Sequence, residues 1–188
     1  MPPRGNLSPV VLAVLALLAE EPRHAYGMQQ LIKERGVDLV VNVRTRSGLH
    51  TALERLVRDG LVRVHAVERA ERRPERTVYE ITPGGRQTLL TAVRSGISTP
   101  AAEFPLFPAA VSFLHLLTPE DALAQLRQRI EALQESLNST EAVLRASRDA
   151  YVPRLYLLEH EHRTTVVTAE LTWLREVCAA LETGELSW

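Results

Sequence analysis

The side chains with most to offer chemically lie on one segment, RTRSGLHTALERLVRDG, residues 44–60. At helical spacing Leu49, Leu53, Leu56 and Val57 recur at i, i+4, i+7 and i+8 and make one apolar stripe. The opposite face then gathers Ser47, His50, Thr51, Glu54, Arg55 and Arg58, with Arg44, Thr45 and Arg46 at the entrance. Short hydroxyls, an imidazole and guanidinium forks are the groups that bond phosphate oxygens or base edges. An arginine fork matches guanine O6/N7 or a phosphate, and Ser or Thr donates to either. On an isolated helix such a face is ordinarily only solvated, so its meaning depends on the surrounding elements.

Other chemistry finds little support. His160 and His162 stand two residues apart, about 200° around a helix, and do not share a face, so no metal site is expected from them. No serine or cysteine motif suggests a nucleophile and no glycine-rich loop follows a strand, so no catalytic residues, no cofactor and no enzyme are expected. The lone Cys178 has no partner for an internal disulfide and reads as a buried, inert thiol suited to a reducing cytoplasm.

The 188 residues allow one ordinary core and an appended module. The longest apolar run, Val10 to Ala19, is half of the roughly twenty residues that a membrane span needs, and no signal peptide is read ahead of it. A formal net charge of -1 conceals two unlike halves. Residues 1–94 carry 15 Lys and Arg against 10 Asp and Glu, and residues 95–188 carry 7 against 13. A basic half that meets a polyanion is the physical reading of that split.

Around the segment at 44–60 the element order becomes informative. Ser8-Pro9 starts an apolar helix that stops near Pro22. HAYGMQQLIKERG follows as a second helix, with Met28, Leu31 and Ile32 inward and Gly36 at its end. Beyond the third helix, LVRVHAV and RTVYEI alternate as two strands around a tip where Arg69, Arg72, Arg73 and Arg76 crowd among Glu68, Glu71 and Glu75. Thr82-Pro83 caps a fourth helix. Three helices, a two-stranded hairpin and a linking helix make a winged helix-turn-helix, with the third helix as reader and the arginine-bearing tip as wing.

The blocks LALLAEEPRHAYGMQQLI, LHTALERLVRDGLV and RTVYEITPGGRQTL, spanning about residues 8–92, resemble the PadR family of transcriptional regulators. The resemblance implies DNA contact by Tyr26, a homodimer, a repressor's role and release by a small-molecule effector. It extends to LLEHEHRTTVVTAELTWLREVCAAL, which is similar to the closing helix of longer-tailed members, whose C-terminal helices exchange across the dimer. The chain departs from the family where Ala25 replaces a usual Gly and His50 a usual Tyr, so the sequence it reads is its own. Glu54 is placed either to accept from cytosine N4 or to orient Arg55 or Arg58.

In the second half, residues 95–117 read as a linker interrupted by Pro100, Pro105 and Pro108, with Phe104, Phe107 and Phe113 as packing residues. Thr118-Pro119-Glu120-Asp121 opens a helix whose Leu123, Leu126, Ile130, Leu133, Leu137, Thr140 and Leu144 keep a seven-residue repeat. Val152-Pro153 ends it, and a last helix repeats the pattern through Val167, Leu171, Leu174, Cys178 and Leu181. The two helices can pair within the chain, or across a dimer as the reader requires. Tyr151, Tyr156 and Trp173 are candidates to line an effector pocket, beside the plainer reading as aromatic core.

The sequence thus predicts a mainly α protein with a small β wing. Its parts are a winged helix over 1–94, a linker over 95–117 and a helical dimerisation and effector domain over 118–188. Its expected partners are double-stranded operator DNA, a second copy of itself and an effector, with no membrane. The rival readings are a winged-helix adaptor that binds protein and no DNA, and a ligand-binding carrier or enzyme built on the C-terminal bundle.

Overall fold

A computed structural model describes residues 7–39, 41–42, 46–68 and 76–188, and of residues 39, 46, 47 and 68 the backbone only. The chain divides into two compact units, Met1–Ala101 and Ala102–Trp188.

The first unit runs α1 (Pro9–Glu20), β1 (Arg23–His24), α2 (Ala25–Glu34), a 3-10 turn (Val37–Leu39), α3 (Arg46–Arg58), β2 (Val62–Glu68), β3 (Arg76–Ile81) and α4 (Pro83–Ser98). Ser8 caps α1 by accepting from the Val11 N–H at 3.4 Å, with Pro9 where no N–H is needed. Because α1 is apolar on most faces, it buries Val11, Val14, Leu15, Leu17 and Leu18 and forms the centre of the unit. Against it pack Met28 and Ile32 of α2, Leu49, Ala52, Leu53 and Leu56 of α3, Val62 of β2 and Leu89 of α4. The buried stripe of α3 differs from expectation at one position: Val57 is 37% exposed and Ala52, on the other flank of the leucines, is buried instead.

The sheet has three strands, not the hairpin alone, in the order β1-β3-β2 and antiparallel throughout. The third strand is two residues long, Arg23 opposite Tyr79 and His24 opposite Val78. So short a strand has no periodicity of its own and exists only through its partner. As a consequence α2 begins at Ala25, and His24, read in sequence as its first residue, stands outside it as the cap.

Where α3 turns into the sheet, the backbone closes a tight corner. Gly60, at φ +70, ends the helix, with its N–H donated to the Val57 carbonyl and the Leu61 N–H to that of Leu56. The Thr82 hydroxyl reaches back to this corner, 2.9 Å from the Gly60 carbonyl and 3.1 Å from that of Leu61, and accepts from the Gly85 N–H at 3.0 Å. Gly85 itself lies so close that a Cβ there would stand 2.0 Å from the Leu61 carbonyl oxygen.

The second unit holds α5 (Leu106–Val111), a 3-10 turn (Leu114–Leu116), α6 (Pro119–Asp149), a second 3-10 turn (Arg154–Leu157) and α7 (Leu158–Thr183). The segment read as a linker is therefore helical over much of its length, since α4 runs on to Ser98 and α5 follows. Helices α6 and α7 form an antiparallel hairpin, and its seam is the heptad pattern itself. Leu126, Leu174, Cys178 and Leu181 are buried together with half-buried Leu123, Ile130 and Leu133, and Leu137, Val167 and Leu171 continue the core. Of the residues read as a seam to a partner chain, Leu126, Leu137, Leu144, Leu171 and Leu174 are buried within the chain, while Leu123, Ile130 and Leu133 are half-buried there.

Burying a leucine is worth about 1.5–3 kcal/mol and an exposed ion pair about 0–1. The seam, not the bridges from Arg129 to Glu170 and from Arg127 to Glu182, holds the hairpin closed. Near its turn the seam changes character: Thr140 and His160 are 1% exposed, and the His160 Nδ1 and Thr164 Oγ1 have no hydrogen-bond partner among the described residues. His162 is exposed while His160 is buried, so the two lie on different faces. No helix is long and apolar enough to cross a membrane among the described residues.

Candidate nucleic-acid interface

The buried stripe of α3 fixes which of its side chains face outward. With Leu49, Ala52, Leu53 and Leu56 turned into the core, His50, Thr51, Glu54, Arg55 and Arg58 are all exposed. Arg46 and Ser47 begin the same helix, but their side chains lie outside the described residues, as do Arg44, Thr45, Arg72 and Arg73 altogether. The carboxylate that meets the arginines is not that of Glu54. Asp59, one residue beyond the helix, lies 3.5 Å from Arg55 Nε and 3.8 Å from Arg58 Nε.

Tyr26 and Arg76, expected from separate elements, are gathered by β1. Its pairing with β3 sets His24 beside the start of β3, with the His24 Nε2 3.5 Å from Arg76 Nη1. The ring of Tyr26, half exposed at the start of α2, meets His24 edge-on at 6.3 Å. His24 Nδ1 accepts from the Gly27 N–H at 2.8 Å and so caps α2. An imidazole that accepts at Nδ1 carries its proton on Nε2, so the approach of Arg76 is a contact between two donors and not a hydrogen bond. Gly27 permits the arrangement, because a Cβ there would lie 2.7 Å from the His24 ring. Nothing in the sequence marked His24 for this role, since Ser, Thr, Asp and Asn are the usual caps. Replacing His24 by Ala is expected to cost about 1 kcal/mol of stability and His24→Asn to restore most of it, read by thermal unfolding. Equal melting of all three proteins would refute the cap.

On the wing strand, Arg63 and His65 are exposed beside a bulge between Val64 and Ala66. Both meet Glu80, at 2.5 Å from Arg63 and 3.1 Å from His65. The hydrogen bond from Arg63, with lesser help from His65, holds the Glu80 carboxyl below the usual carboxylate range. Among the described residues of this unit, Arg63 and Arg35 are thus answered locally, for Glu20 likewise is held low, chiefly by its bonds from Arg35 at 2.6 and 2.9 Å.

The three candidates for an effector pocket are not brought together. Tyr151, at φ 56 and 93% exposed, and Tyr156, 67% exposed, belong to the turn of the hairpin. Trp173 sits fifteen residues into α7, about 22 Å along the helix at 1.5 Å per residue. There it packs edge-on against Phe107 at 6.1 Å, and Arg129 lies 3.5 Å over the Phe107 ring. Phe107 packs as expected, whereas Phe104 and Phe113 are exposed, at 94% and 61%. Burial raises the Cys178 thiol pKa, as fits an inert core residue. Among the described residues no cluster of His, Cys, Asp and Glu could hold a metal ion.

Known proteins match both the domain and the fold. Residues 14–91 match the model of the transcriptional regulator PadR-like family. No curated protein sequence matches the chain. Among solved structures, Bacillus subtilis PadR in complex with operator DNA superposes with a TM-score of 0.74 at 16% identity, over 92% of this chain and 98% of that one. The same protein in complex with p-coumaric acid gives 0.67 at 16% identity, over 93% and 99%. The Vibrio cholerae virulence activator AphA gives 0.69 at 19% identity, over 93% and 98%. At such identities the structures establish a common fold, and over residues 14–91, most of its winged-helix unit, the chain matches the PadR-like family model of transcriptional regulators.

Proposed function

We propose that the chain binds a specific, pseudo-palindromic operator as a cytoplasmic homodimer, acts there as a repressor, and lets go when a small molecule alters the spacing of its two winged helices. The observation that carries the DNA-reading part is the outward face of α3, where His50, Thr51, Arg55 and Arg58 are exposed on a helix anchored by four buried neighbours. With Arg44, Thr45, Arg46 and Ser47 at the entrance, this helix is assigned to the major groove, and Tyr26, Arg72, Arg73 and Arg76 to the flanking backbone. The operator complex of Bacillus subtilis PadR supports the same use of the fold.

Dimerisation follows from the reading mode, because two recognition helices must sit about 34–36 Å apart to read successive half-sites. Contact between copies is assigned to the half-buried Leu123, Ile130 and Leu133 of the hairpin together with apolar side chains left exposed on the second unit, among them Phe104, Leu106, Phe113 and Leu116. The p-coumaric acid complex supports a small effector, for which Tyr151, Tyr156 and Trp173 are separate candidate contacts and not one pocket. The test of the function is a mobility shift with DNA from upstream of the chain's own coding sequence. A retarded complex that survives an excess of random DNA is expected. Retardation of both DNAs alike, or of neither, would leave the adaptor reading in its place.

A further inference from the structure

We propose that Asp59 is a positioning residue that sets the selectivity of the reading face by holding two of its arginines until DNA replaces it; this rests on the DNA-reading function proposed above. Asp59 breaks two local rules at once. It follows the last residue of α3, where the unpaired carbonyls make the helix end negative and an acid is disfavoured. It also stands beside a face offered to a polyanion. A residue that conflicts with its surroundings in two ways is expected where function requires it.

The geometry supplies that function. The Asp59 carboxylate lies between two guanidiniums, Oδ2 toward Arg55 at 3.5 Å and Oδ1 toward Arg58 at 3.8 Å, and their side chains are 62% and 74% exposed. Among the described residues no other carboxylate pairs with either. The corner behind it is rigid, since the Asp59 N–H is donated to the Arg55 carbonyl and Gly60 and Leu61 close the helix end. A carboxylate on so fixed a backbone biases both forks toward itself in the free protein, by the modest amount that exposed pairs at these distances allow. A base edge in register meets forks already in place. A phosphate elsewhere along random DNA must draw an arginine away from its partner and toward a negative neighbour.

The experiment compares binding, by fluorescence anisotropy, to a duplex from the upstream DNA and to a duplex of the same composition in scrambled order. The proteins are the wild-type chain, Asp59→Asn, and Glu34→Gln, which changes the net charge equally on an exposed site of α2. Asp59→Asn is expected to tighten scrambled DNA about threefold to tenfold and the upstream duplex by less than about twofold, as weak exposed pairs allow. Glu34→Gln is expected to shift both by less than about twofold. In a chain also carrying Arg55→Ala and Arg58→Ala, Asp59→Asn is expected to change nothing, a dependence that a purely structural role would not produce. Equal tightening on both duplexes, or tightening that persists without the arginines, overturns the role of Asp59 alone. A wild-type chain that binds neither duplex overturns the DNA-reading function as well.

Discussion

Gly85→Ala is expected to destabilise the winged helix by about 2–4 kcal/mol, lowering its melting temperature by roughly 8–30 °C, whereas Gly84→Ala next to it is expected to be neutral or mildly stabilising. The two glycines open the same helix and differ only in what a methyl group would meet. At Gly84 the nearest atom is the Thr82 hydroxyl at 3.7 Å, an ordinary contact. At Gly85 it is the Leu61 carbonyl oxygen at 2.0 Å, with the Leu61 carbonyl carbon at 3.0 Å. That backbone cannot swing aside as a side chain would, because the Leu61 oxygen also accepts from the Thr82 N–H at 3.0 Å. Relief therefore requires α4 to lift from the corner, which costs the burial of Leu89 and the Thr82 cap together. Thermal unfolding of both variants decides the point; equal melting would show that the corner yields.

Replacing Arg55 and Arg58 together by Ala is expected to weaken operator binding by about 10- to 1000-fold while leaving stability nearly unchanged. A good arginine contact to a base is worth about 1–3 kcal/mol of discrimination, and contacts to phosphate add affinity without it. Both side chains are mostly exposed and, among the described residues, paired only with Asp59 at distances too long for strong bonds, so the folded state loses little when they are cut back. The effect should exceed that of any single wing change, because Arg55 and Arg58 share one rigid helix. A melting curve separates loss of contact from loss of fold.

Much of this was legible in the sequence, for reasons visible in particular residues. Ser8-Pro9, Thr82-Pro83 and Thr118-Pro119 each mark a helix start, and each hydroxyl accepts from the backbone N–H three residues on. Such signals are local, so one sequence carries them entire. The short strand β1 was not legible, because its two residues are ordered by pairing with β3, some fifty residues away in the chain. With β1 unseen, the gathering of Tyr26, His24 and Arg76 was unseen too. The heptads revealed a seam but not its partner: Leu126 and Leu174 satisfy the same pattern whether the facing helix belongs to this chain or another. On the outward face of α3, side-chain direction followed from the leucine stripe. The pairing of Arg55 and Arg58 with Asp59 instead of Glu54 depended on where the chain goes after the helix ends, which periodicity does not encode.

The most direct test of DNA reading by α3 is the salt dependence of binding to the upstream duplex, measured for the wild-type chain and for the Arg55→Ala, Arg58→Ala variant. Each cation that neutralises a phosphate contributes about 0.9 to the slope of log affinity against log salt, and contacts to bases contribute to affinity without it. The variant is expected to bind the upstream duplex far more weakly, to show a slope shallower by up to about two, and to lose its preference over scrambled DNA. Identical affinity, slope and preference in the two proteins would contradict the account.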